Sequence, residues 1–145
     1  MSVDAAHLWT LNHRLLTGVL DACQPQMREL GLEPKEFFVL AEVERSPYPA
    51  ELATELVIPK ASVTVYVRNL TAKGYLRREI DDADLRRHRL VLTPDGTRAR
   101  DAAIAALARE FQRRLDRVSA ADRDHLERTL NSMIAPEAER TDVDA

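Results

Sequence analysis

One interruption in the hydrophobic period constrains this chain more than any other feature. Before Gly74, apolar residues recur at three- and four-residue steps, the period of a helix. From Tyr75 to Thr93 the pattern changes. In Arg89-Leu90-Val91-Leu92-Thr93, Leu90 and Leu92 face one way while Arg89, Val91 and Thr93 face the other, the alternation of a strand. Tyr75-Leu76-Arg77-Arg78-Glu79-Ile80 reads as its partner, and the polar run from Asp81 to His88 lies between them. The helical period resumes after Thr93-Pro94, a cap followed by a first-turn proline. The chain is therefore expected to be mainly α with a small β-hairpin, and the hairpin has a long charged tip.

The helices follow from the same periodicity. Residues 4–30 read as one long helix with Leu8, Leu11, Leu15, Val19, Cys23, Met27 and Leu30 on a stripe, a kink at Pro25 and a stop at Gly31. A second helix starts at Pro34 and ends before the turn Ser46-Pro47-Tyr48-Pro49. A short helix over 50–56 and another over 60–73 are joined by only Val57-Ile58-Pro59, which makes them a helix-turn-helix candidate. After the hairpin, a helix runs to about residue 117. Ser119-Ala120-Ala121-Asp122 resembles a capping box for a last helix ending near 134, with Leu126, Leu130, Met133 and Ile134 on its apolar face. Residues 136–145 are acidic and apolar-poor, and are expected to be disordered.

Charge decides what such a chain can meet. The net charge of −3 over 145 residues argues against a nucleic-acid partner only if it is evenly spread. It is not: residues 60–100 carry +5 and the remainder −8. A polyanion feels the local field. One cysteine excludes a disulfide framework and a multi-cysteine zinc site, and no histidine pair has helical metal-ligand spacing. No metal and no cofactor are expected. No apolar run reaches the roughly 18 residues of a membrane helix, and no signal segment is visible, so a cytoplasmic protein is expected. There is no nucleophile triad and no phosphate loop, and the four glycines are scattered; no catalytic residue is assigned and the chain is not read as an enzyme.

The constellation resembles the MarR family of winged helix-turn-helix transcriptional regulators. The resemblance rests on Glu51-Leu52-Ala53, Ser62-Val63-Thr64, Leu70-Thr71-Ala72-Lys73-Gly74-Tyr75-Leu76, Asp84-Leu85-Arg86-Arg87 and Leu92-Thr93-Pro94-Asp95-Gly96, in this order and at these spacings. It covers residues 51–96 closely, and the flanking helices match in length and order. It implies one domain over 1–135: a DNA-binding core at about 34–94, a recognition helix at 60–73, a wing at 75–93, and dimerisation helices at 4–30, 95–117 and 119–134.

On that reading the helix 60–73 enters the major groove, where Lys60, Ser62, Thr64 and Arg68 are its polar residues, and Val65 and Ala61 could touch thymine methyls. The family's Asp-x-Arg wing motif falls on Asp84 and Arg86, so the resemblance implies that Arg86 enters the minor groove and Asp84 orients it. Arg77, Arg78 and Arg87 are candidates for phosphate contacts, which position rather than specify. Three positions depart from the family. Val57 stands where glycine is frequent, Pro59 where a small polar or acidic cap is frequent, and Val65 where arginine is frequent. A β-branched residue fits a positive φ poorly, so the turn at Val57 is expected to differ locally.

The long first helix would reach about 40 Å, and a small winged module cannot cover its stripe. An uncovered stripe of that size is usually an interface, so a homodimer on palindromic DNA is expected. A repressor released by a small aromatic or phenolic effector is the family's usual form, with Trp9 and His13 as candidate ligand contacts. Two other readings compete: a winged helix used for protein contact without DNA, and an oxidant sensor acting through Cys23. Cys23 lies on the apolar stripe, where a cysteine behaves as a small hydrophobe, so a structural role is expected for it.

Overall fold

The computed structural model describes residues 2–136. Seven helices and two strands follow one another as α1 (Ala5–Ala22), α2 (Gln24–Glu29), α3 (Pro34–Glu42), α4 (Pro49–Glu55), α5 (Lys60–Ala72), β1 (Leu76–Ile80), β2 (His88–Leu92), α6 (Pro94–Leu115) and α7 (Ala120–Ile134). The fold is mainly α with one antiparallel hairpin. The expected acidic tail lies, apart from Pro136, outside the described residues.

The predicted single helix over 4–30 is corrected to two. It breaks at Cys23, where α1 is capped and α2 begins. The cause is Pro25, which has no N–H to continue the ladder and is instead tolerated in the first turn of α2. Asp4 starts α1 by accepting from the backbone N–H groups of Ala6 and His7.

The chain divides into two compact units, one ending at Glu110 and the other beginning at Phe111; the division falls within α6. The core of the first unit joins every one of its helices except α1 to the hairpin. Val39 and Leu40 of α3 and Val43 at its C-cap, Leu52 of α4, Val63, Val67 and Leu70 of α5, and Leu76 and Leu90 of the strands are buried, with Met27, Ala103 and Ala106 beside them. Each fully buried aliphatic side chain contributes roughly 1.5–3 kcal/mol over its exposed state. In the hairpin, Leu76 pairs with Leu92 and Arg78 with Leu90. The backbone N–H of Leu90 also donates to the Pro47 carbonyl at 2.8 Å, so the turn before α4 extends the sheet edge.

Three helices of this unit end in the same way. After α2, α4 and α5 the chain takes one left-handed residue, and two backbone hydrogen bonds close over it. At α2 and α5 that residue is glycine (Gly31, φ +67°; Gly74, φ +77°). At α4 it is Val57, with φ +52°. Val57 N–H donates to the Thr54 carbonyl and Ile58 N–H to the Ala53 carbonyl. The expected local departure of this turn is thus overturned: the ordinary glycine geometry is kept, and a β-branched residue bears the strain.

Tyr75 ties α5 to its surroundings. Its hydroxyl donates to the Leu30 carbonyl at 2.6 Å, and its carbonyl accepts from Thr93 N–H at 3.1 Å. A Cβ at Gly96 would lie 2.0 Å from the same Tyr75 carbonyl oxygen, so only glycine fits at that point of α6. Thr93 caps α6, its hydroxyl oxygen accepting from Gly96 N–H at 3.0 Å.

In the second unit, Ser119 caps α7 by accepting from Asp122 N–H. The Arg123 guanidinium donates to the carbonyl of Leu115 at 2.8 Å and of Val118 at 3.2 Å, closing the end of α6. No residue of α7 is buried, and Leu130, Met133 and Ile134 are exposed.

Candidate nucleic-acid interface

Helix α5 has two faces of opposite character. Val63, Val67 and Leu70 anchor one in the core. The other presents Lys60, Ala61, Thr64, Val65 and Arg68 to solvent, with Ser62 half-buried at its margin. The Thr64 hydroxyl already donates to the Lys60 carbonyl at 3.1 Å, so it offers an outside partner an acceptor rather than its proton.

The helix is fixed from behind by a group the periodicity did not reveal. Glu36 on α3 is only 2% exposed. Its carboxylate accepts from Lys73 Nζ at 2.6 Å, from Asn69 Nδ2 at 3.4 Å and from Glu33 N–H at 3.3 Å. A buried carboxylate without partners would be costly, and here both oxygens are occupied. The signal for it was weak: Glu36 reads as a first-turn acid in a capping box, a role it also performs.

The wing tip is built by two aspartates. Asp81 accepts from Ala83 N–H at 2.9 Å, and Asp84 accepts from Arg86 N–H at 3.0 Å. Asp81 N–H donates to the Arg87 carbonyl at 3.0 Å and Arg87 N–H to the Asp84 carbonyl at 2.9 Å, closing the loop. Asp84 therefore acts on the Arg86 backbone and leaves its guanidinium exposed. Leu85 beside it is also exposed.

The other wing arginines differ from one another. Arg77 pairs with Glu79 on the exposed surface of β1. Arg78 is exposed. Arg87 is turned back toward α4: its guanidinium carbon lies 3.5 Å from the Tyr48 ring centroid, and Nη2 lies 3.4 Å from Glu51 Oε1. The Tyr48 hydroxyl in turn donates to the Asp81 carboxylate. That bond holds the Asp81 carboxyl below its ordinary value, with help from Ala83 N–H and the Arg87 charge, and pushes the Tyr48 phenol up. Tyr48, Pro49, Ala50, Lys60, Thr64, Arg87 and His88 line one cleft between α4, α5 and the wing. Neither Tyr48 nor Glu51 was a candidate from the sequence, because partners 33 and 36 residues away in the chain carry no periodic signal.

The remaining candidates lie elsewhere. Trp9 and His13 sit one turn apart on the exposed face of α1. Cys23 is buried, with its sulfur 3.5 Å from the Ala106 carbonyl oxygen, a setting far from the accessible one a sensing thiol requires. Among the described residues no cluster of three metal-ligating side chains occurs, and no helix is long and apolar enough to cross a membrane.

Comparison with known proteins agrees with this geometry. Residues 30–87 match the model described as MarR family. No curated protein matches the chain. Among solved structures, wild-type MarR in its apo form from E. coli superposes with a TM-score of 0.76 at 18% identity, covering 93% of this chain and 100% of that one. A MarR family protein from Bacillus stearothermophilus gives 0.77 at 18% identity, over 91% and 96% of the two chains. CouR from Rhodococcus jostii RHA1, bound to p-coumaroyl-CoA, gives 0.73 at 22% identity, over 90% and 94%. These likenesses are ones of fold.

Proposed function

We propose that this chain, whose residues 30–87 match the MarR family model, is a MarR-type transcriptional repressor that binds palindromic duplex DNA as a homodimer and is released by a small aromatic or phenolic effector. The observation that carries the reading is the solvent face of α5 lying in the same cleft-bearing module as an arginine-tipped wing, within a segment of charge +5. Lys60, Ser62, Thr64, Val65 and Arg68 would meet base edges in the major groove. Arg86 would enter the minor groove, with Asp84 setting its backbone, and Arg77 would reach a phosphate.

The exposed leucines of α1 and the exposed apolar end of α7 support the dimer. Buried against a second copy, they would set two α5 helices about 34 Å apart, one turn of DNA. The p-coumaroyl-CoA held by CouR supports an aromatic effector for this chain, with Trp9 and His13 as its proposed contacts. An effector releases DNA only by binding the competent and incompetent states unequally.

The test is retention of the protein on random duplex DNA at low salt, followed by selection of bound genomic fragments. Retention and a palindromic winning sequence are expected; no retention would favour a protein-contact module. On the selected site, Arg86→Ala should weaken binding about tenfold and lower the salt slope by about one. Unchanged affinity and slope would remove Arg86 from the interface.

A further inference from the structure

Arg87 was read from the sequence as a phosphate contact, yet its side chain is committed within the molecule. The guanidinium stacks on the Tyr48 ring at 3.5 Å and reaches Glu51 at 3.4 Å. Tyr48 precedes α4 and Glu51 lies in its first turn. Arg87 belongs to the far arm of the wing loop, where its carbonyl accepts from Asp81 N–H at 3.0 Å. Asp81 closes the ring of contacts by accepting the Tyr48 hydroxyl. Tyr48, Arg87 and Asp81 thus close a ring, the Asp81–Arg87 link being a backbone hydrogen bond, and Glu51 is attached to it through Arg87.

We infer that Arg87 is a positioning residue that clamps the wing to α4, and so fixes where the neighbouring Arg86 stands relative to α5, rather than a ligand of DNA phosphate. Three features of the geometry argue for the clamp. First, a guanidinium over an aromatic face with a carboxylate at its edge is already served on two sides. Secondly, a phosphate approaching Arg87 would also approach the Glu51 carboxylate, which repels it. Thirdly, the hairpin has only two strands, and a two-stranded hairpin is marginal alone. Its attachment to the helical core comes from Leu76 and Leu90 at the stem and from the Leu90–Pro47 hydrogen bond. Beyond Leu90, toward the tip, Asp81 on Tyr48 and Arg87 on Tyr48 and Glu51 are what tie the loop to the start of α4. Without these contacts the two wing positions after Asp84 would sweep a wider arc, and Arg86 would lose its fixed distance from the face of α5.

The clamp itself is tested without DNA. Backbone amide exchange of residues 81–88 would be followed in the free protein for wild type, Arg87→Ala, Arg87→Lys and Tyr48→Leu. A clamp predicts about fivefold to tenfold faster exchange in Arg87→Ala and Tyr48→Leu, with partial recovery in Arg87→Lys, while α5 amides stay unchanged. Unchanged wing exchange in both variants would overturn the proposal. Because all the substituted side chains are at least partly exposed, the α5 amides also report whether each variant has folded.

The DNA arm rests on the regulator reading above and uses the selected duplex. Arg87→Ala should weaken binding about tenfold with an unchanged slope of log affinity against log salt, and the Tyr48→Leu/Arg87→Ala double variant should lose little more. A phosphate ligand would instead drop the slope by about 0.9. A slope lowered by that amount overturns the inference. A wild-type protein that binds no duplex overturns the regulator reading and leaves the exchange result to judge the clamp alone.

Discussion

Helices α5 and α1 carry similar apolar stripes and meet opposite fates. On α5, Val63, Val67 and Leu70 are wholly buried in the core shared with α3, α4 and the wing stem. On α1, Leu8, Leu11, Leu15 and Leu16 remain exposed, and Trp9 is 74% exposed. A stripe states that a helix has an apolar face; it does not say which molecule covers that face. The module around α5 completes its own core, whereas the stripe of α1 is left exposed.

That contrast can be broken at several points. The largest effect is expected in the core. Leu70→Ala should cost about 2–5 kcal/mol in denaturant melting, since the hole it leaves is enclosed. A loss below about 1 kcal/mol would mean that the module is not self-supporting. Next comes the stripe. Leu15→Glu should leave the helix content intact and weaken self-association about thirtyfold, some 2 kcal/mol, in analytical ultracentrifugation. An unchanged dissociation constant would show that α1 is not the interface.

A smaller effect of opposite sign is expected at the turn between α4 and α5. Val57 is 88% exposed, so replacing it sacrifices almost no burial. Val57→Gly relieves the left-handed strain of about 1–2 kcal/mol but adds freedom to the unfolded chain. A net gain of about 0.5–1 kcal/mol should raise the melting temperature and leave assembly untouched. A loss would show that the valine has a contact worth more than its strain.

The smallest effect concerns pH. The Asp81 carboxyl is held low, chiefly by the Tyr48 hydroxyl, so its contribution is present above the ordinary carboxylate range near pH 4. It is lost as the pH falls through the lower, folded value. Tyr48, pushed up, contributes below about pH 10 and loses that contribution as the pH rises through its folded value. The Arg87 and Arg89 charges face the same pair and oppose the rise at Tyr48. Measured relative to the intrinsic rate at each pH, amides of residues 81–88 should therefore lose protection below about pH 4, while those of α5 do not. Equal responses in both segments would sink this reading.

The periodicity made the helices, the hairpin and the buried face of α5 legible, because each depends on neighbours three or four residues away, or two in a strand. It located the fault in the first helix at the right proline but turned a break into a bend. What it could not show depends on distant partners. Glu36 looks like any first-turn acid until Lys73 and Asn69 are placed against it. Arg87 looks like any wing arginine until Tyr48 lies beneath it. Val57 was the converse: the departure was visible, but the backbone held its geometry because two hydrogen bonds across the turn require it. The base-facing candidates Lys60, Thr64, Val65 and Arg68 were legible as the positions left over once the core was assigned.

The Tyr75 carbonyl, hydrogen-bonded to Thr93 and pressed against Gly96, leaves no slack between the end of α5 and the start of α6. Its hydroxyl does the same for the end of α2. Three elements thus share one pivot. Any side chain at position 96 would have to push the Tyr75 carbonyl aside, and with it the joint that all three elements share.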